Sequence, residues 1–126
     1  MNDPGLSSDL AVIAGEVLAR SAMGSTGLYL FDEDRAFAGG VIVGMPPEFT
    51  LEYERRGVPI DPVLAEMRDS GRPVSTRTVL GSGWERCQLY RRVSGRFGLT
   101  GFAALPLYRG ARISGVLYLG ATDREQ

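Results

Sequence analysis

Histidine and lysine are both absent from the sequence, so all 14 basic side chains are arginines. Histidine is the side chain that titrates near neutral pH and the commonest metal ligand, and lysine is the residue that forms Schiff bases. Arginine stays protonated and cannot shuttle protons. Because only carboxylates, tyrosines and one thiol remain for acid–base work, we predict that the chain is not an enzyme and has no catalytic site, metal or cofactor.

Cysteine is nearly absent too, since Cys87 is the only one; this excludes an intrachain disulfide and suits a reducing compartment. No stretch approaches the roughly 18 apolar residues of a membrane span, and residues 1–10 lack the pattern of a signal peptide. The net charge of −1 provides no basic face for nucleic acid. We therefore expect a cytoplasmic protein that does not contact membranes or nucleic acid directly.

What the sequence does contain is typical of a globular protein. Hydrophobic residues make up 44% and charged residues 23%, and the length of 126 residues fits one domain, residues 1–126. A first helix is predicted to begin at Ser7–Asp9 and to end near Gly24. Its apolar stripe, at helical spacing, consists of Leu10, Ile13, Val17 and Leu18.

Five segments read as strands. Residues 27–31 are apolar on both faces, which predicts a central strand, and residues 36–43 form its hairpin partner. Residues 102–108 and 113–120 predict two further central strands joined by a tight glycine turn. A short edge strand is predicted at residues 73–76.

Short helices are predicted between these strands. Phe49 and Tyr53 are four apart and share one helical face. Asp61-Pro62 is a helix start, because Asp caps free N–H groups and Pro suits the first position. Ser82 and Glu85 fit a capping box at the start of the next helix. The apolar face of that helix comprises Leu89, Tyr90, Val93 and Phe97.

Together the elements predict an α+β fold with a central antiparallel sheet of about five strands and helices on both faces. The first helix would cover one face, and the irregular segment of residues 45–97 would cover the other. This segment is rich in aromatics and interrupted by Gly and Pro, which suits an adaptable pocket wall.

This order of elements resembles the GAF/PAS type of fold, and residues 45–120 resemble the signal-binding domain of LuxR-type transcription regulators. That family opens its pocket segment with Tyr-Pro-x-x-Trp-x-x-x-Tyr, followed by Asp-Pro-Val. Its later helix ends in Gly-Leu or Gly-Ile, followed by a Gly and a strand that reaches Pro. The resemblance implies a bacterial sensory domain that feeds transcription control. The matching residues here are Met45-Pro46-Pro47-Glu48-Phe49, Tyr53, Asp61-Pro62-Val63 and residues 97–106.

Two departures from the family pattern concern the ligand. In the acyl-homoserine-lactone receptors the motif Tyr bonds the acyl carbonyl, the Trp bonds the lactone and the Asp takes the amide N–H. Met45 and Phe49 replace that Tyr and Trp, and each lost partner costs about 1–3 kcal/mol of discrimination. We therefore expect poor binding of acyl-homoserine lactones.

Two family elements also have no counterpart in the 126 residues: the DNA-binding helix-turn-helix and the closing helix of GAF domains. We expect either a standalone binding module or a partner that supplies the closing layer. DNA binding would then be supplied elsewhere.

Each candidate side chain has a functional and a structural interpretation. Asp61 can accept a ligand N–H or cap its helix, and its two oxygens can do one each. The aromatic residues can line a pocket or fill the core, and Trp84 can also be a lid or an interface contact. Cys87 can be a redox sensor or a small core residue. The candidate ligand-binding set is Tyr29, Phe31, Met45, Phe49, Tyr53, Asp61, Trp84, Tyr90 and Phe97.

Three functions compete. The first is a sensory domain that binds a small, largely apolar ligand between sheet and middle helices and forms a homodimer. The second is a ligand-free interaction or dimerisation module, an adaptor or antagonist of a regulator protein. The third is a thiol-based enzyme, which needs an exposed and activated Cys87. A cavity of roughly 300 Å³ or more favours the first function, and an exposed apolar patch on the sheet favours the second.

Overall fold

The computed structural model describes residues 4–19 and 23–122. Its five strands are β1 Ser25–Phe31, β2 Phe37–Val43, β3 Val74–Ser75, β4 Leu99–Arg109 and β5 Arg112–Thr122. They form one antiparallel sheet in the order β2-β1-β5-β4-β3. The predicted α+β class is confirmed, as are the central positions of β1 and β5 and the edge position of β3.

The hairpin between β4 and β5 forms where the sequence predicts it. Gly110 adopts a φ of 64°, a left-handed conformation that favours glycine at a tight turn. Both strands are 11 residues long. Since their side chains alternate between two apolar faces, both faces of this hairpin can be covered by helices.

Helices cover both faces of the sheet, as predicted. Helix α1, Pro4–Ala19, packs chiefly on β1 and β2. The opposite face lies under residues 45–97, which we call the middle layer. It contains α2 Pro47–Glu52, α3 Pro62–Ser70 and α4 Thr76–Leu80, together with π-helical turns at Tyr53–Gly57 and Tyr90–Ser94 and 3₁₀ turns at Val58–Ile60, Gly81–Arg86 and Gly95–Phe97.

Helix α3 begins and ends at the residues that the sequence predicts. The Asp61 carboxylate Oδ1 accepts the backbone N–H groups of Val63 at 2.9 Å and Leu64 at 3.0 Å. Gly71 ends the helix with a φ of 71°. The capping interpretation of Asp61 is therefore confirmed.

The first helix differs from the prediction at its start and on its apolar face. It begins at Pro4 rather than Ser7–Asp9. Proline suits the first position of a helix, because the backbone N–H that it lacks would have no partner within the helix there. Leu10 and Ala14 are buried against the sheet, whereas Ile13 is 52% exposed. Leu10 and Ala14 are four residues apart and share the helix face that meets the sheet, and Ile13 lies outside that face. Residues 20–22 and the side chain of Leu18 lie outside the description.

The predicted capping box at Ser82 and Glu85 is wrong. Residues 81–86 form a 3₁₀ turn whose start has no side-chain cap. The capping box lies at Ser75 and Thr78, where each side-chain hydroxyl accepts the other residue's backbone N–H at the start of α4. A threonine performs the task that the sequence motif assigns to a glutamate.

The sheet separates two apolar clusters. The smaller one joins α1 to the sheet through Leu10, Ala14 and Leu28. The larger one fills the space between the sheet and the middle layer. Within residues 4–19 and 23–122, none of the helices combines the length and the apolar character that crossing a membrane requires.

Candidate ligand-binding site

Aromatic side chains dominate the space between the sheet and the middle layer. Ten of the eleven aromatic residues form one connected network of ring contacts, mostly edge-to-face, and Tyr108 is the exception. Such pairs contribute beyond their area of burial because the edge of one ring attracts the face of another. The members are Tyr29, Phe31, Phe37, Phe49, Tyr53, Trp84, Tyr90, Phe97, Phe102 and Tyr118.

Strand alternation explains which aromatics enter this network. Tyr29 and Tyr118 point to the same face from β1 and β5, since alternate strand residues share a face. Gly40 lies directly opposite Tyr29 in the sheet. A Cβ at Gly40 would collide with the Tyr29 ring, so the glycine provides the room in which that ring lies flat on the strand.

A small cavity of about 40 Å³ lies within this layer, and we call it the core cavity. It has room for two or three water molecules, or for a ligand of a few heavy atoms. It is far smaller than the roughly 300 Å³ of a typical ligand pocket. Its walls are Ser25, Gly27, Ile42, Phe49, Tyr53, Leu89, Ser94, Leu99, Phe102, Tyr118 and Gly120.

Two of the tyrosines that line the core cavity belong to a buried hydrogen-bonded chain. The Tyr53 hydroxyl donates to Asp61 Oδ2 at 2.6 Å. The hydroxyl oxygens of Tyr53 and Tyr118 are 2.5 Å apart. Since Asp61 Oδ1 caps α3, both carboxylate oxygens have protein partners.

Burial sets the protonation of this chain. Desolvation raises the pKa of Asp61 to about 6. The hydrogen bonds from Tyr53 and from the α3 N–H groups act in the opposite direction and lower this pKa, but their effect is smaller. Desolvation and the neighbouring Asp61 charge raise the pKa of both Tyr53 and Tyr118 well above the usual value. Above pH 6 the chain therefore holds one carboxylate and two neutral phenols.

The predicted site residues divide into three groups. Phe49 and Tyr53 line the core cavity, and Asp61 lies directly behind Tyr53. Phe97 packs edge-on against Phe49, with ring centroids 5.3 Å apart. Met45 is partly buried against the same cluster.

Trp84 and Tyr90 form a second group beside the cavity. The Trp84 indole N–H donates to the Leu99 carbonyl at 3.2 Å, and its ring packs edge-on against Tyr90 and Phe102. Trp84 is buried and Tyr90 only partly buried. Both therefore support the wall from outside, because neither lines the cavity itself.

Tyr29 and Phe31 form the third group, and they face surface clefts instead. The Tyr29 hydroxyl donates to Glu54 Oε2 at 2.6 Å, at the side of an open cleft of about 570 Å³. Desolvation and Glu54 raise the pKa of Tyr29. The Arg68 guanidinium stacks on the Phe31 ring at 4.7 Å.

The sequence-based prediction missed all seven residues that line the cavity from the strands. Tyr118 and Phe102 lie on strands whose two apolar faces look alike in the sequence, so no pattern says which face meets the middle layer. Ser94 was missed because a serine in a helix usually faces solvent. The free thiol of Cys87 is partly buried against the aromatic cluster.

Comparison with known proteins supports the fold. No protein-family model and no curated protein matches the chain. Solved structures do match. The GAF domain/HD domain protein from Geobacter sulfurreducens is 16% identical with a TM-score of 0.59, and the match covers 94% of this chain and 74% of that one.

Two further solved structures give the same result. GAF3 from Slr1393 of Synechocystis, in its photoproduct state, is 16% identical with a TM-score of 0.59, covering 91% of this chain and 75% of that one. The VqsR ligand-binding domain from Pseudomonas aeruginosa is 14% identical with a TM-score of 0.61, covering 89% and 69%. The chain therefore has a GAF-like fold, and that fold resembles the VqsR ligand-binding domain.

Proposed function

We propose that this protein is a cytoplasmic sensory domain that binds a small, largely apolar ligand in the core cavity and passes the signal to transcription control. The observation that carries the proposal is an aromatic-walled cavity placed against the buried chain of Tyr118, Tyr53 and Asp61. Ligand sites typically combine apolar walls with a few fixed polar groups in this way. The proposal includes no catalytic step.

Acyl-homoserine lactones are poor candidates for this ligand. Met45 and Phe49 cannot donate the hydrogen bonds that the resemblance assigns to a Tyr and a Trp. Asp61 is also committed, because one oxygen caps α3 and the other accepts from Tyr53. A ligand amide would have to displace a buried hydrogen bond, which is costly in a low-dielectric interior.

The core cavity does not reach the roughly 300 Å³ that we expect of a ligand pocket, so binding requires that the cavity wall moves. A volume of about 40 Å³ admits only a few heavy atoms unless the wall moves. The middle layer contains two π-helical and three 3₁₀ turns. The 3₁₀ turns have poorer hydrogen-bond geometry than an α-helix, and π-helical turns frequently occur at functional sites. We propose that these turns shift to admit the ligand, while the sheet stays fixed.

Thermal unfolding tests this proposal. Fractionated small-molecule extracts of bacterial cells are added to the wild-type protein and to Ser94→Val, which adds side-chain volume at a residue that lines the cavity. A ligand at 100 times its Kd stabilises the folded state by about 2.7 kcal/mol, so one fraction should raise the wild-type Tm by several degrees. The filled variant should not respond.

Two controls keep the test decisive. Circular dichroism confirms that Ser94→Val folds; if it does not, Gly27→Ala replaces it, since the added Cβ would lie 3.2 Å from Tyr118 and 3.3 Å from Ile42. The proposal fails if no fraction raises the wild-type Tm, or if the same fraction raises the Tm of the filled variant equally.

A second candidate function, self-association, has its own supporting observation. Leu105, Leu107, Leu117 and Leu119 lie on the α1 side of the sheet and are only partly buried. Val12 and Ile13 of α1 are 67% and 52% exposed. An apolar helix side next to an uncharged sheet surface is self-complementary, because α1 of one copy can cover the sheet of another. The partner proposed for this face is a second copy of this chain.

A further inference from the structure

Strand β2 forms an open edge of the sheet. It pairs only with β1, and among residues 4–19 and 23–122 no backbone hydrogen bond reaches it other than those of the sheet. Six of its seven residues are only partly buried, whereas the first five residues of β1 are buried. An edge strand presents a row of unpaired N–H and C=O groups, on which another extended chain can pair.

The usual protections of an edge strand are missing from most of β2. Natural edge strands are short, carry charged residues or proline, or contain a bulge. The other edge strand, β3, is only two residues long. Strand β2 has seven residues, all apolar or glycine, and its one pairing irregularity lies near Phe37 and leaves residues 39–43 regular. This edge can therefore accept strand addition, a common mode of peptide recognition.

A cleft runs along the same edge, between β2 and the middle layer, and we call it the edge cleft. It is open to solvent, has a volume of about 570 Å³ and shares no wall residue with the core cavity. Alternate side chains of a strand lie on one face of its sheet, so every second side chain of a strand added to β2 would lie on the side where this cleft opens. Its walls include Phe37, Gly39 and Gly40 on β2 and Glu54, Val58 and Arg68 in the middle layer.

The walls of the edge cleft favour an uncharged occupant with large apolar side chains. Phe37 and Val58 are apolar wall residues and both are only partly buried. The cleft has no net charge, because its walls include two acidic and two basic residues, and it therefore does not attract a strongly charged segment. These four residues are Asp34, Glu54, Arg35 and Arg68.

We propose that the β2 edge and the edge cleft together bind an extended, uncharged peptide segment of a partner protein as an additional strand of the sheet. Backbone pairing supplies the affinity, and the side chains that alternate into the cleft supply the selectivity. A second copy of this chain fits less well, because Gly39 and Gly40 of its own β2 have no side chains to fill a cleft of this volume. This docking site is separate from the core cavity and does not depend on it.

Peptide titrations followed by amide NMR test the docking site. The probes are synthetic heptapeptides in which threonine alternates with valine, leucine, phenylalanine or tyrosine. We expect saturable shifts in the amide signals of Phe37–Val43 with at least one probe, and slower hydrogen exchange of alternate amides in this strand. Two further versions of that peptide are methylated at one or the other alternate set of backbone nitrogens. One version should bind at least about tenfold more weakly and the other nearly normally, because a strand pairs through one of its edges.

A pair of matched variants tests the edge cleft. Val58→Asp places a carboxylate against the apolar side chains of the peptide and should weaken binding about tenfold, since burying an unpaired charge is costly. Val12→Asp makes the same change at a residue of α1 that is 67% exposed, on the other side of the sheet, and should leave binding unchanged. Circular dichroism checks that both variants fold. If Val58→Asp does not, a peptide with glycine in place of its large side chains replaces it and should bind about tenfold more weakly.

Three results would overturn this proposal. The first is that none of the peptides shifts the β2 amides, and the second is that both methylated versions bind equally well. The third is a wild-type protein whose β2 amides become protected from exchange as its own concentration rises, which would make a second copy the occupant. Equal binding to wild type and Val58→Asp, with Val58→Asp folded, would remove the edge cleft from the docking site.

Discussion

At the scale of the residue, Asp61 connects the architecture of the protein to its candidate site. Oδ1 starts α3, and Oδ2 accepts from the hydroxyl of Tyr53, a residue that lines the cavity. An Asp-Pro pair at a helix start is visible in the sequence, but the use of its second oxygen is not. That oxygen accepts from a tyrosine eight residues earlier, and no local sequence rule predicts this contact.

The raised pKa of Asp61 gives a test at this scale. Because the folded-state pKa of about 6 lies above the ordinary value of 3.8, the folded state binds the proton more tightly. The resulting stabilisation is fully present below pH 3.8 and is lost as the pH rises through 6. Asp61→Asn keeps a capping oxygen and does not titrate.

Thermal melts of wild type and Asp61→Asn from pH 4 to pH 8 measure this effect. The difference in Tm between variant and wild type should move in favour of the variant as the pH rises, most steeply near pH 5, between the two pKa values, and level off above about pH 7. Contributions from the other carboxylates cancel in that difference. A difference that stays constant across the range would show that Asp61 has an ordinary pKa.

At the scale of the element, strand β2 leaves room for the buried Tyr29 ring at one residue, Gly40. Gly40→Ala would force the Tyr29 ring away from the strand and disturb its stacking on Phe37 and its bond to Glu54. Overpacking of this kind costs about 1–3 kcal/mol. We expect a loss of that size in the free energy of unfolding, measured in urea.

Gly15→Ala is the matched control for this change. Gly15 lies in α1, and a Cβ there would meet nothing within 4 Å. The same substitution in a helix with free space should stabilise the protein by about 0.5–1 kcal/mol. If Gly40→Ala is as stable as the wild type, the close approach of Tyr29 to β2 is not a constraint on the fold.

At the scale of the whole molecule, the proposed self-association depends on the α1 side of the sheet. Ile13→Glu places a charge on the exposed apolar side of α1 without removing a buried group. Size-exclusion chromatography with light scattering should give twice 13.6 kDa for the wild type and 13.6 kDa for this variant. A charge in the middle of an apolar interface costs several kcal/mol unless it is paired.

Leu51→Glu is the control for the association. Leu51 is 55% exposed on α2, in the middle layer on the other side of the sheet. Its mutation should leave the mass unchanged. A wild-type protein that is monomeric at high concentration, or an association that Leu51→Glu disrupts equally, would contradict self-association through α1.

The parts of this structure that the sequence predicts are those that local rules decide. Gly110 and Gly71 end elements with a left-handed conformation, and Asp61-Pro62 starts one. The cavity depends on distant packing: Tyr53 and Tyr118 are 65 residues apart, and no local rule brings their hydroxyls together. The volume of the core cavity, about 40 Å³, likewise depends on how side chains from distant parts of the chain pack together.

The central claim is that the core cavity between the sheet and the middle layer is a ligand site. Native mass spectrometry of wild type and Ser94→Val, purified in parallel from the same cells, tests it most directly. The claim predicts a small bound molecule that adds mass to the wild type and is absent from the filled variant. A bound molecule at equal occupancy in both proteins, or in neither, would contradict it.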